Sequence, residues 1–450
     1  MERGAWPLCR EWSVMTAHKH LKERVRARMA RTGESYTTAR RHVLNALPAS
    51  EYLLLGGAHP DAHAITGVLA NRGLLDPDTG RPLSEAMVLG VGGGLGAGYI
   101  LWAFKAHDQR SLVLGFRNSW QYPDRWALKV CDRLGVPAAM HETSSPRRAD
   151  QELRAAVGQG VPVIVWADQQ LLGYRHLPAW LEGLGGPPVT VYGVDERAGV
   201  ALVDDRNRAP LTVPLDALAA ARARVGSYKH RQLVLDAPAA ELDTDGLRRA
   251  VREGLAEQVE HLGKRSDSFA LPAFRKWARL LTGSGNAKAW PTVFADRAGL
   301  FDACLSVYEN LEPVGWGGGN LRGLYAEFLD EAAGLLGTPA LGRVAAAYRE
   351  AAASWQEVAE VAVPAGREPF AEARRLIGRL QDQVERGDAA QAEAAATAVA
   401  LWALRDRWRS QFPGDDADVD ALLSTMAAAV TAAGVAEEAA LASLAGALAS

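Results

Sequence analysis

Residues Gly56 to Gly73 read GGAHPDAHAITGVLANRG, a glycine turn followed by apolar residues at helical spacing. Apolar side chains recur every three to four residues after Ala62, as they do along one face of an α-helix. Pro60 suits the first turn of such a helix, because proline lacks the N–H that would have no partner there. The stretch therefore predicts a buried helix that begins near Pro60.

The composition sets the class of protein. With 450 residues the chain is too long for one core, so two domains with an appendage are expected. Hydrophobic residues at 48% and charged residues at 23% are typical of a soluble globular protein. No apolar run approaches a membrane-spanning length and the first residues lack a signal-like apolar core, so we expect a cytoplasmic protein without membrane contact.

The three cysteines, Cys9, Cys131 and Cys304, are far apart and odd in number. This spacing argues against a disulfide framework and against a cysteine-rich zinc site. The net charge of -3 gives no whole-chain reason to expect nucleic-acid binding. No cofactor is expected.

Three regions follow from the pattern. Residues 1–48 form a strongly basic helical extension, for which a solvated surface is favoured over a nucleic-acid contact. Residues 49–236 mix helices with short β-rich runs and contain a hairpin that turns at Arg197 to Gly199, which predicts an α+β domain. Residues 237–450 follow a proline-containing linker and predict an all-helical domain. The candidate strands are 111–116, 162–168, 189–196, 199–205 and 230–236.

Two glycine-rich stretches are candidates for ligand contact. In SEAMVLGVGGGLGAGY, from Ser84 to Tyr99, a polar helix start precedes a glycine turn that lacks the lysine of a phosphate-binding loop. Glycine there permits close approach of either a ligand or another backbone. In GWGGGNLR, from Gly315 to Arg322, an anion-compatible loop and a plain interhelical turn are both open. The candidate substrate contacts are Ser84, Glu85, Gly92, Gly93, Gly94, Tyr99, Trp316 and Arg322.

Three stretches resemble the N-terminal domain of the butirosin biosynthesis protein H (BtrH) family: HPDAHAITGVLANRG from His59, PLSEAMVLGVGGGLGAGY from Pro82 to Tyr99, and PPVTVYGVDERAGVALVDD from Pro187 to Asp205. The resemblance implies a papain-like fold, of the cysteine-peptidase and acyltransferase type. It also implies specialised metabolism, such as antibiotic biosynthesis, in which an acyl group passes from a carrier protein to an amine. The second region resembles the helical domain that usually follows in that family. The matching stretches are FRKWARLL, the run from Tyr308 to Leu336, and ASWQEVAEVA.

The same resemblance locates the catalytic set. The family has histidine and then a nucleophilic cysteine where this chain has His59 and Pro60. Its general-base histidine falls at Pro187 or Pro188, and only its acid remains, as Asp204 or Asp205. A helix N-terminus favours thiolate over thiol, but proline has no sulfur to activate. The resemblance thus implies a degenerate site.

Three hypotheses follow. The chain binds a substrate or partner, such as an acyl- or peptidyl-carrier protein or a peptide, without thiol chemistry. Alternatively, it is an active amide-forming acyltransferase with a rearranged site that a histidine such as His176 enters. In the third, His59 and His63, four residues apart on one helical face, hold a metal for a hydrolase, with distant ligands such as His141 or Asp168. The ordinary roles of the two histidines are a helix-entry hydrogen bond and core packing. A homodimer is left open.

Overall fold

The computed structural model describes residues 26, 29, 51–104, 109–236, 241–315 and 317–449. The predicted basic extension, residues 1–48, therefore lies outside the described residues except at positions 26 and 29. Trp316 and the linker segment 237–240 lie outside them as well.

The first region joins a central helix to an antiparallel sheet. A six-stranded sheet has the order β3-β8-β4-β5-β6-β7, and β1 and β2 form a separate antiparallel pair. The strands are β1 Tyr99–Phe104, β2 Gln109–Leu114, β3 Ala138–His141, β4 Val163–Trp166, β5 Pro188–Asp195, β6 Val200–Asp204, β7 Leu211–Pro214 and β8 Gln232–Leu235. The helices are α1 Pro60–Asn71, α2 Glu85–Val91, α3 Pro123–Arg133, α4 Pro146–Gly158, α5 Gln169–Leu172 and α6 Leu215–Arg224.

Helix α1 begins at Pro60, as its sequence predicts, and His59 is its N-cap. From Ala62 to Ala70 every residue is buried, so this helix is covered on all sides. It packs against α2 and β5. The N-terminus of α1 is thereby held at a fixed place beside the sheet.

The predicted hairpin is present as β5 and β6. Asp195 Oδ1 accepts the backbone N–H groups of Arg197 and Ala198, and Gly199 adopts φ +71°. Such an Asp-initiated turn ending in a left-handed glycine is a common way to reverse a strand. The candidate strands correspond to β2, β4, β5, β6 and β8, whereas β1, β3 and β7 were not predicted.

The second region is helical. Its helices are α7 Thr244–Leu262, α8 Pro272–Thr282, α9 Trp290–Val293, α10 Leu300–Leu311, α11 Arg322–Leu336, α12 Ala340–Ala362, α13 Phe370–Glu385, α14 Gln391–Trp408 and α15 Asp416–Ala449. The predicted class, an α+β region followed by a helical one, is confirmed.

The two regions share one apolar core that runs from α1 and α2 into α7 and α8. In this core, a Cβ added to Gly254 of α7 would lie 2.2 Å from the carbonyl oxygen of Gly90 in α2. The helices therefore meet backbone to backbone. The division at residues 236 and 237 stays a prediction, since this core crosses it.

One helix among the described residues, α15, is long and apolar enough to cross a membrane by length and composition. This corrects the expectation that no apolar run reaches such a length. Alanine and leucine give the helix its apolar character, while α8 and α12 pack along one side of it. That side includes Glu437, which is buried and paired with Arg322. Of the most apolar window of α15, 28% is buried in the protein, and one such helix is weak evidence for a membrane span.

Candidate functional site

A cavity of about 210 Å³ opens at the N-terminus of α1. Pro60 and Pro187, the two prolines at the expected cysteine and histidine positions, both line it. Both regions of the chain contribute to its wall: His59, Asp61, Leu114, Gly115, Phe116, Arg117 and Trp120 from the first, Asn310, Gly317 and Gly319 from the second. The expected catalytic positions therefore meet at one cleft, although neither carries a reactive group.

His59 is held by the start of α1. The Ala62 N–H donates to its Nδ1 at 3.3 Å, and the ring is 6% exposed. Burial is the main cause that lowers the pKa of His59 to about 3, against a smaller opposing effect of Asp61. The imidazole is therefore neutral near pH 7, which makes it a weak base and a helix cap, as the helix-entry interpretation expects.

The N-terminus of α1 has few free N–H groups. Pro60 has none, the Ala62 N–H goes to His59 Nδ1, and the His63 N–H goes to the His59 carbonyl at 2.8 Å. The preceding N–H groups of Ala58 and His59 donate to Glu85 at 2.9 and 2.6 Å. A helix N-terminus stabilises an anion through unpaired N–H groups. Here most of them are already paired within the protein.

The charges at the cavity neutralise each other. Arg117 Nε lies 3.1 Å from Asp61 Oδ2, and the guanidinium also stacks over the ring of Trp126 at 4.6 Å from its centroid. Arg117 is 2% exposed. The cavity thus carries an internal ion pair and no unpaired side-chain cation among its described lining residues.

Asp204 does have a histidine partner, but not one that the sequence analysis proposed. His63 Nε2 lies 2.7 Å from Asp204 Oδ1, and Tyr52 donates to Asp204 Oδ2 at 3.0 Å. Burial by itself lowers the pKa of His63, but the charge and hydrogen bond of Asp204 outweigh it and the pKa is raised. From the sequence, His63 is predicted to be a packed residue or a metal ligand. The sequence feature that singles out His63 is its position one helical turn after His59.

Asp205 faces away from that pair. Its Oδ2 accepts from Arg175 at 2.6 Å and from Tyr174 at 2.8 Å, and the side chain is fully buried. Burial raises the pKa of this carboxyl, yet Arg175 and Arg206 lower it overall. His176 contacts Gln391 at 3.1 Å. The rearranged site in which His176 faces Asp204 or Asp205 is therefore not assembled in this conformation.

The residues suggested as substrate contacts lie mainly at contacts between the two regions. Ser84 caps α2 and donates to Glu331 at 2.8 Å, and Tyr99 accepts from Trp290 at 2.8 Å. A Cβ on Gly92, Gly93 or Gly94 would collide with Trp126, Glu257 or Gln258 respectively. These glycines therefore allow close packing against other parts of the protein, which is the alternative to ligand contact for this stretch.

In the second glycine-rich loop, part of the sequence has a structural role and part lines the cavity. Arg322 is fully buried, pairs with Glu437 and donates to the Gly96 carbonyl at 3.0 Å, so it has a structural contact in place of a ligand. Gly317 and Gly319 do line the cavity. A Cβ on Gly318, whose φ is +75°, would lie 2.4 Å from the Ala58 carbonyl oxygen. Residues 317–319 therefore lie against the start of α1 and form one wall of the cavity.

Neither thiols nor a metal cluster supply a replacement among the described residues. Cys131 and Cys304 are buried, and burial raises the pKa of Cys131 to about 12 and raises that of Cys304 as well. No group of three or more potential metal-ligating His, Cys, Asp or Glu residues occurs in the part of the chain that the structure describes. His59 and His63 point to different partners, so they do not share a site.

Two family models match the chain. Residues 59–206 match the family described as Butirosin biosynthesis protein H, N-terminal. Residues 216–396 match the family described as Domain of unknown function (DUF4872). No curated protein matches the chain. The first match begins at the N-cap of α1, ends just after Asp204 and Asp205, and so spans the whole cleft on that side. The chain therefore carries the N-terminal domain of the butirosin biosynthesis protein H family, followed by this domain of unknown function.

Proposed function

We propose that this protein is a biosynthetic member of the family that binds an acyl- or peptidyl-carrying substrate in the cavity at α1 without thiol chemistry. The observation that carries the proposal is the position of Pro60 and Pro187, which both line one cavity where the family resemblance implies cysteine and histidine. Proline can neither form a thioester nor accept a proton. The cleft is kept while the reactive atoms are gone.

The other lining groups support a binding role. None of the described residues that line the cavity carries a thiol or a hydroxyl group. His59 is neutral and already accepts a hydrogen bond at Nδ1, so it is poorly placed to activate a nucleophile. A cleft of this kind still contributes by holding two reacting groups together, since fixed orientation raises their effective concentration. An acyl- or peptidyl-carrier protein or a peptide is the partner that this proposal implies.

The test is exposure of the protein to an acyl thioester of N-acetylcysteamine, followed by intact-mass measurement. We expect no acyl adduct at the cavity of the wild type and a stoichiometric adduct at position 60 of Pro60→Cys, located by peptide mapping. The new thiol lines the cavity, and the substitution restores the backbone N–H that proline lacks, which favours the thiolate at the first turn of α1. Pro146→Cys is the matched control. Pro146 also begins a helix, α4, but it is exposed and remote from the cavity.

An adduct on a cavity residue of the wild-type protein, or acceleration of amide formation by the wild type, contradicts the proposal and favours a transferase with a rearranged site. Equal labelling of Pro60→Cys and Pro146→Cys also contradicts it, because the cleft then gives no advantage over an exposed thiol.

A further inference from the structure

The polar groups of the cavity define what it can bind. The Ala62 N–H donates to His59 Nδ1, so Nδ1 carries no proton and the proton of the neutral ring lies on Nε2. Burial keeps the ring neutral at pH 7. His59 therefore offers one uncharged N–H donor, from Nε2, at the wall of the cavity.

That donor has no hydrogen-bond partner among the described residues. The carboxylate oxygen of Asp61 lies 3.9 Å from Nε2, which is too far for a normal hydrogen bond. Of the other polar lining side chains, Asn310 Nδ2 donates to the Ser306 carbonyl at 2.8 Å, and Arg117 Nε donates to Asp61. The indole N–H of Trp120 has no partner either, but its nitrogen is buried against Gly115 and is not open to a ligand. A ligand oxygen would complete the hydrogen bonding of His59.

The same groups disfavour an anion. Pro60 and the His59 cap remove N–H groups from the helix N-terminus, and the cation of Arg117 is already neutralised by Asp61. A carboxylate in this cavity would lose its hydration without gaining a cation, which is costly. A neutral carbonyl needs only one donor.

The remaining walls are apolar. Phe116 is 4% exposed, and Trp120 lies so close to the backbone of Gly115 that a Cβ there would be 2.1 Å from its indole nitrogen. Pro60, Pro187 and Leu114 add further apolar surface. Rings and aliphatic chains both suit such a surface.

We propose that the cavity selects a neutral group with a carbonyl oxygen, such as an amide or ester on an apolar chain or ring, and that His59 Nε2–H is the donor that recognises it. This inference rests on the proposed binding function and adds to it a ligand class and a specificity-determining residue. Free carboxylates and phosphates are rejected.

The test uses three fluorinated probes of one shape, 4-fluorobenzamide, 4-fluorobenzoate and 4-fluorotoluene, titrated with the full chain at pH 7 and followed by ¹⁹F NMR line width. We expect the amide to bind about tenfold or more tightly than the benzoate, as the loss of one hydrogen bond and the burial of an unpaired charge require. Gly317→Leu should abolish binding, because Gly317 lines the cavity and a Cβ there meets nothing within 4 Å.

His59→Ser isolates the donor. Serine still caps α1, but its hydroxyl does not extend to the position of Nε2. The amide should lose about tenfold more affinity than 4-fluorotoluene does on this substitution, because only the amide uses the Nε2–H donor. The inference is overturned if the benzoate binds as tightly as the amide, or if His59→Ser does not alter the affinity for the amide. Either result leaves the proposed binding function standing. Failure of all three probes to bind overturns both the inference and the proposed function.

Discussion

His63 Nε2 lies 2.7 Å from Asp204 Oδ1, and the two side chains are 2% and 1% exposed. Asp204 is one of the two residues that the family resemblance gives as the catalytic acid, and the family's histidine position is occupied by Pro187 or Pro188. A buried carboxylate without a cation is strongly unfavourable. His63, one turn inside α1, supplies the missing positive charge.

Removal of His63 should therefore destabilise the fold strongly. For His63→Gln we expect a loss of about 3–5 kcal/mol in the free energy of unfolding at pH 6, since one partner of a buried pair is left alone. Urea denaturation measures it. The control is Arg148→Gln, which breaks an exposed pair with Glu152 at 71% exposure of Arg148 and should cost about 0.5 kcal/mol or less. Equal losses in the two variants would contradict a stabilising role for the His63 pair.

The pH dependence of stability should show both histidines with opposite signs. The pKa of His63 is raised, so its contribution is full below pH 6.5 and is lost as the pH rises through the folded-state value. The pKa of His59 is lowered to about 3, so the unfolded chain binds its proton first and stability falls as the pH decreases from 6.5 towards 3.

A single group contributes a slope of at most about 1.4 kcal/mol per pH unit within its window. His59→Ser should flatten the acid side of the profile, and His63→Gln should flatten the alkaline side. Thermal unfolding measured from pH 4 to pH 9 distinguishes them. If His59→Ser leaves the acid side unchanged, His59 is not held neutral in the folded protein.

Close helix packing gives a prediction about glycine. Gly254→Ala should destabilise the protein by about 1–3 kcal/mol, because the new Cβ would lie 2.2 Å from the Gly90 carbonyl oxygen and backbone must move. Gly378→Ala in α13 is the matched control, since a Cβ there meets nothing within 4 Å. That change should stabilise by about 0.5–1 kcal/mol through helix propensity. A stability loss in both variants would mean that alanine is harmful for a reason other than the contact with α2.

The sequence predicts those parts of the molecule that depend on local pattern. The start of α1 at Pro60, the β5–β6 hairpin and the helical second region all follow from periodicity, turn residues and proline position. The partners of individual polar side chains do not, because they are set by contacts between distant segments. His63 and Asp204 are separated by 141 positions, and Arg322 and Glu437 by 115. The glycines of the first loop likewise show that close approach is needed without showing whether a ligand or a helix approaches.

Arg322 and Glu437 form another buried pair, within the second region, and the contacts of Arg322 connect that region to the first. Both side chains are fully buried, and Arg322 also donates to the Gly96 carbonyl and stacks on Phe116 with its guanidinium 4.7 Å from the ring centroid. Glu437 accepts in addition from the indole N–H of Trp355 at 2.8 Å. The pair thus links α11 and α15 to the segment that supports a wall of the cavity.

Arg322→Met should cost about 3–5 kcal/mol, because it leaves Glu437 as a buried charge without a cation. The double variant Arg322→Met with Glu437→Gln should recover part of that loss, since glutamine has no charge and can still accept from Trp355. Urea denaturation of the two single variants and the double variant forms the cycle that measures the coupling. A double variant less stable than Arg322→Met would show that the carboxylate is stabilised by its other contacts and does not depend on Arg322.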